Sequence, residues 1–246
     1  FDGPTPSVPQ LKLDSEQGGC RLLVPASLFC EPSCGGTGIC TAENVCTRYP
    51  TPESAGCVRL AGLGPTEVVM GAEAPAFVYQ PSEDETLPNH PCSEGAKISV
   101  QAENFAIESK CIAPFTLLGP NPLPVISGKA VPLTWTPPGE SDISRISIRL
   151  ELAIHGGKKG EIDCDVPDTG SFEIPEPLVT TLAGFGLGGF PTIIVGRYSL
   201  AFSETESQVK LLMISSTERK IDTGVKSCMD GNDCPSGICQ LDLTCQ

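Results

Sequence analysis

From Ile146 to Ile154 the apolar residues take alternate positions: Ile146, Ile148, Leu150, Leu152 and Ile154, separated by Ser147, Arg149, Glu151 and Ala153. Strand side chains point to opposite faces with a period of two, so this stretch predicts a strand with one buried face. HGGKKG follows, and Ile162, Cys164 and Val166 then alternate with Glu161, Asp163 and Asp165. That is the returning arm of a β-hairpin with glycine in its turn. TIIVGRYSLAFS (192–203) and SQVKLLMISS (207–216), joined by a short polar ETE, predict a second hairpin. Further strands are expected at 65–71, 75–80, 97–103, 129–136 and 170–174. Pro177 to Leu182 reads as one short helix, with proline near its start and Gly184 just past its end. So many short strands make a two-sheet sandwich the expected architecture of residues 58–222.

Both ends of the chain break this pattern. Residues 1–19 are rich in Pro, Gly, Ser and acidic side chains and read as an extended tail. Residues 20–57 and 223–246 read as small disulfide-rich modules. CGGTGICTAENVC (34–46) and CPSGICQLDLTC (234–245) align on Gly38-Ile39-Cys40 and Gly237-Ile238-Cys239, each followed by five residues and another cysteine. This is an internal repeat. Segments of fewer than about forty residues bury little apolar surface, so crosslinks must replace a core. Cys30, Cys34, Cys40 and Cys46 are therefore expected to pair among themselves, and Cys228, Cys234, Cys239 and Cys245 likewise. Cys20, Cys57, Cys92, Cys111 and Cys164 are left over. A Cys20–Cys57 bridge would close the first module, the other pairings stay open, and parity leaves one cysteine unpaired or bonded to another chain.

Composition supports the β reading and narrows the setting. Aromatics make up only 5% of the 246 residues, against 26 Gly and 24 Pro, which favours strands and turns over long helices. The formal charge is −14, and no Lys/Arg cluster exceeds Lys158-Lys159. A phosphate backbone needs a positive surface on which to release its counterions, so nucleic acid is not an expected partner. Thirteen cysteines with no C-x2-C pair, and with His90 and His155 as the only histidines, point to disulfides in an oxidising compartment rather than zinc. FDGPTPSVPQ has neither a basic nor an apolar leader region, so the numbering is expected to start on a mature protein, with a lipid anchor upstream of Phe1 as one tethering mode. The uncharged stretch 178–196 is broken by Gly184, Gly186, Gly188, Gly189 and Pro191 and is not expected to span a membrane.

Two short patterns carry family resemblances. In GKAVPLTW, Val131, Leu133 and Trp135 share one strand face, a rhythm that resembles immunoglobulin-like and fibronectin-III-like domains. The resemblance implies an Ig-like sandwich with Trp135 as the core anchor. DCPSGIC (233–239) followed by Cys245 resembles the short Dickkopf-like and EGF-like cysteine repeats, which serve as spacers or contact surfaces. Together the chain resembles the Cys-rich, sandwich-bearing surface proteins and lipoproteins exported by Gram-negative bacteria.

Several motifs mimic chemical sites. GFGLGG (184–189) satisfies GxGxxG, but the dinucleotide fold needs a strand before it and a helix after it, and here the order is reversed. His155-Gly156-Gly157 is like an esterase oxyanion turn, yet no G-x-S-x-G elbow accompanies it, so a hairpin turn is expected. His90 sits in a proline-flanked loop. Among the carboxylate runs, including Glu83-Asp84-Glu85, MDGNDC is the best calcium candidate, with Asp230, Asn232 and Asp233 as oxygen ligands and a solvated acidic loop as the alternative. No cofactor is expected. Phe185, Leu187 and Phe190 stand among glycines in an uncharged loop and are expected either to contact a partner or to cap the sandwich from inside. The resulting expectation is a non-catalytic exported structural or adhesive protein, a subunit of a surface or extracellular assembly whose partners are other chains or copies of itself. A carbohydrate- or ligand-binding module is the alternative, though one Trp and three Tyr supply few aromatics for it, and a secreted hydrolase stands third.

Overall fold

The computed structural model describes every residue except 1–10, 27–29, 37, 42, 50, 52, 65–66, 75–77, 82–90, 141, 154–158 and 206–208. His90, His155, Glu83-Asp84-Glu85 and most of the HGGKKG turn lie outside the described residues. The chain is mainly β. In order it forms β1 (Leu11–Gln17), β2 (Cys20–Pro25), β3 (Gly38–Cys40), β4 (Cys46–Arg48), β5 (Val58–Ala61), β6 (Val68–Gly71), β7 (Gln80–Pro81), β8 (Lys97–Gln101) and β9 (Ala106–Lys110). There follow β10 (Leu123–Pro124), β11 (Val131–Thr134), β12 (Arg145–Glu151), β13 (Glu161–Pro167), β14 (Ser171–Ile174), helix α1 (Glu176–Gly184), β15 (Thr192–Phe202) and β16 (Lys210–Asp222).

The largest sheet has seven strands in the order β1-β2-β13-β12-β15-β16-β10. Its two expected hairpins form with consistent register: Ile148 lies opposite Cys164 on one side and Val195 on the other. Alternation therefore sends Leu22, Ile146, Ile148, Leu150, Ile162, Val166, Ile193 and Val195 into one buried face. That face is covered by Leu178, Val179 and Leu182 of α1 and by Val131, Leu133 and Ile174 of the β11–β14 pair. Trp135 lies in the same core and is fully buried. Residues 58–110 build a separate five-stranded sheet, β7-β6-β5-β8-β9, with Val58, Val68, Ile98, Val100 and Ile107 buried in it and Cys92–Cys111 beside it.

One charge sits inside this apolar face. Arg197 shares strand parity with Ile193 and Val195, and its side chain and that of Asp168 are completely buried. All five guanidinium N–H groups find acceptors. Nε donates to Asp168 Oδ2 at 2.5 Å and Nη2 to Asp168 Oδ1 at 3.3 Å and to the Thr136 carbonyl at 2.7 Å. Nη1 donates to the carbonyls of Pro114 at 2.9 Å and Ala113 at 3.3 Å. Asp168 also accepts from Trp135 Nε1 and Ser144 Oγ, both at 2.7 Å, and the guanidinium carbon lies 5.9 Å from the centre of the Phe115 ring. Burial pushes the Asp168 carboxyl upward, but the hydrogen bonds from Arg197, Ser144 and Trp135 and the Arg197 charge outweigh it and hold it below the usual carboxylate value.

Six disulfides link Cys20–Cys164, Cys30–Cys40, Cys34–Cys46, Cys92–Cys111, Cys228–Cys239 and Cys234–Cys245, and Cys57 is free and exposed. The repeat is real in three dimensions: each end joins its first cysteine to its third and its second to its fourth. Cys40 pairs in register with Cys46, as Cys239 does with Cys245. This many crosslinks fits a non-cytoplasmic setting. No helix among the described residues is long and apolar enough to cross a membrane.

Three expectations need correction. Residues 11–17 are not tail but the edge strand β1: Leu11 and Leu13 alternate with Lys12 and Asp14, but the remaining residues are polar and most of the strand is exposed, so the alternation is too short to mark it. Cys20 bonds Cys164 rather than Cys57 because β2 lies directly beside β13 and brings Cys20 opposite Cys164. β16 runs on to Asp222, beyond the expected end at 216, since ERKID continues the alternation with polar side chains.

Non-reducing peptide mapping is expected to recover the six linked pairs and one alkylatable thiol at Cys57; a Cys20–Cys57 peptide would contradict this. Asp168→Ala leaves a buried, uncompensated guanidinium and is expected to cost about 3–5 kcal/mol in denaturant unfolding. Because the folded-state carboxyl titrates below its unfolded value of about 3.9, its contribution is complete above about pH 4 and is lost as pH falls through the folded value. Unfolding curves in acid should therefore fall more steeply for the wild type than for Asp168→Asn.

Candidate interaction surface

With its even-numbered β15 and β16 side chains turned away from the core, the large sheet shows an outer face of two characters. Over β12 and β13 it is a lattice of charges. Arg145 Nε meets Asp165 Oδ1 at 2.7 Å, and the Tyr198 hydroxyl donates to the same oxygen at 2.8 Å. Arg149 Nε reaches Asp163 Oδ1 at 3.2 Å and Glu161 Oε2 at 3.8 Å. Partial burial and then the neighbouring Glu161 charge push the Asp163 carboxyl above its ordinary value. Each charge here has an opposite one, so this half is self-satisfied.

Over the far end of β15 and β16 the same face turns apolar. Leu200, Phe202, Leu212 and Ile214 are 43%, 57%, 53% and 58% exposed, which is unusual for four large apolar side chains on adjacent strands. Register groups them: Leu200 lies opposite Leu212, Tyr198 opposite Ile214 and Phe202 opposite Lys210. The strands approach closely because Gly196 has no Cβ; one added there would lie 2.8 Å from Ser216 Cβ.

β16 also exposes backbone. The Ile221 N–H donates to the Pro191 carbonyl, so odd-numbered residues of β16 bond to β15 and even-numbered ones point their N–H and C=O the other way. On that far side β10 covers only Ile221 and Asp222. From Leu211 to Lys220 no described strand pairs with it. The segment LLMISST (211–217) is uncharged, without the Lys, Pro or bulge that blunts an edge strand.

The sequence-predicted residues fall elsewhere. Leu187 packs against the core, and the Phe185 ring lies over Gly160. Gly188 N–H donates to the Leu152 carbonyl and Gly189 N–H to the Asp242 carbonyl, so the chain's own C-terminal segment meets this loop. Phe190 is half-buried. In MDGNDC the carboxylates face backbone donors: Asp230 Oδ1 accepts from Asn232 N–H at 2.7 Å, and Asp233 Oδ2 accepts from Met229 N–H at 2.7 Å and Asp230 N–H at 3.4 Å. The Met229 and then the Asp230 hydrogen bond hold Asp233 below its ordinary value. These side chains cap the short turn Gly231–Asp233. The outer apolar patch had a signal in the sequence, since both parities of TIIVGRYSLAF are apolar, but only register shows which set faces out.

Leu187→Ser is expected to cost about 1–2 kcal/mol of stability through lost burial, while Leu212→Ser should stay within about 0.5 kcal/mol of the wild type. Thermal melts of the two variants check this; equal losses would place Leu212 in the core. No protein-family model matches the chain, and no curated protein or solved structure matches it either.

Proposed function

We propose that the chain is a non-catalytic, exported structural or adhesive protein, one subunit of a surface or extracellular assembly. The observation that carries this reading is the contiguous apolar patch of Leu200, Phe202, Leu212 and Ile214 beside the open edge of β16. Such a surface is costly to leave in water and is characteristic of a chain that meets another. The crosslinked ends support the same reading, because disulfide-braced modules hold their shape outside the cell without a large core. The buried ionisable groups Arg197 and Asp168 saturate each other and their neighbours, and neither offers a proton or lone pair to a substrate. On this reading the seven-stranded sheet and the β11–β14 pair are the two layers of an Ig-like sandwich, and the terminal modules are rigid spacers.

Fractionation of cells that export the full-length chain tests the proposal. Recovery in the envelope or an extracellular polymer, with crosslinks from residues 200–214 to a neighbouring chain, is the expected result. Recovery as a free protein with no such crosslinks would overturn it.

A further inference from the structure

We propose that the partner at the β16 edge is a second copy of this chain, joined by antiparallel pairing of β16 with its symmetry mate about Ile214. The inference deepens the assembly reading above and rests on it. It starts from parity. Even-numbered residues of β16 carry both the outward N–H and C=O groups and the outward apolar side chains, so a two-fold pairing must set even residues opposite even residues.

Charge then selects the register. The exposed stretch reads Lys210, Leu212, Ile214, Ser216, Glu218 and Lys220 along the outer face. A two-fold axis at Ile214 places Lys210 of each copy opposite Glu218 of the other, Leu212 opposite Ser216, and Ile214 beside its mate. A shift of the axis to residue 215 sets Lys210 opposite Lys220, and a shift to Ser216 sets Leu212 opposite Lys220 and Ile214 opposite Glu218. An axis at Leu212 sets Lys210 opposite Ile214. The Ile214 register alone among these brings opposite charges together at both ends while keeping apolar residues at the centre, and opposite-charge cross-strand pairs stabilise where like charges repel.

The pairing also satisfies the edge. Residues 212, 214 and 216 of each copy exchange backbone N–H···O=C bonds with the other, which pairs the outward groups at the centre of this edge strand. The two seven-stranded sheets become one, and Leu200, Leu212 and Ile214 of both copies form a continuous outer stripe across the axis. Distant chains of another sequence would need to reproduce this same charge pattern; a second copy carries it already.

Sedimentation equilibrium of the purified full chain, with Cys57 alkylated so that a chance disulfide is not read as pairing, is the test. The wild type should form a dimer. Lys210→Glu and Glu218→Lys singly should each weaken it by about tenfold or more, and the double charge swap should restore it. Ile214→Pro removes an N–H that points away from β15, so it should abolish the dimer with the melting temperature nearly unchanged. A chain that remains monomeric at about 100 µM, a dimer indifferent to Ile214→Pro, or single reversals that the double swap does not rescue would overturn the pairing. A monomer that still fractionates with the envelope and crosslinks to another protein sinks the pairing alone, whereas a dimer recovered free of any envelope or polymer sinks the surface-assembly reading.

Discussion

The buried pair of Arg197 and Asp168 is the point at which separate parts of the chain meet. Through hydrogen bonds to one guanidinium, the segment at Ala113 and Pro114, the stretch after β11 at Thr136 and the turn after β13 at Asp168 are all held against β15. Trp135, next to Thr136, makes a second bond from the same stretch, and Ser144, just before β12, adds one further part of the chain through the carboxylate. A charge pair in a dry interior repays its desolvation only when its geometry is good and its remaining donors and acceptors are satisfied. Here five N–H groups and both carboxylate oxygens are used. Removing one member therefore costs more than the pair's own net contribution, because the other is left charged and alone.

That arrangement makes the large sheet one-sided. Its inner face holds α1, the β11–β14 pair and the cluster around Arg197, so its outer face is left to solvent. Charge pairs occupy that face over β12 and β13, and the apolar side chains at the ends of β15 and β16 have no such cover. Crosslinks do different work in different places. Cys20–Cys164 ties the N-terminal strands to the sheet across 144 residues, whereas the pairs near the two ends close short loops of 10 to 12 residues. Gly189 N–H joins the loop after α1 to the C-terminal segment through the Asp242 carbonyl.

What the sequence made legible was local. The alternation of Ile146, Ile148 and Leu150 with polar neighbours marked a strand and its buried face, and the spacing of Gly38-Ile39-Cys40 and Gly237-Ile238-Cys239 marked two stretches with the same disulfide pattern. Trp135 was readable as a core residue from its parity with Val131 and Leu133. The features that depend on which strands become neighbours were not legible. Cys20 meets Cys164 only because β2 lies beside β13, and nothing near either cysteine encodes that adjacency. β1 offers only Leu11 and Leu13 as an apolar alternation before it turns fully polar, too short a period to mark a strand. Arg197 did leave a trace: it shares the parity of Ile193 and Val195 in an otherwise uncharged run, where an inward charge calls for an inward partner. That partner, Asp168, sits in an acidic stretch beside Asp163 and Asp165, which turn outward, and composition alone does not separate them.

The chain has a single tryptophan, so its indole N–H gives one unambiguous signal at the centre of this network. Hydrogen exchange at Trp135 Nε1 under increasing denaturant tests the central claim most directly. If the Arg197–Asp168 cluster joins the elements around it into one cooperative unit, the indole proton exchanges only through global unfolding, with the same denaturant dependence as the slowest amides of β12 and β15. Exchange that is faster than those amides and insensitive to denaturant would show that the cluster opens locally, and would contradict the claim.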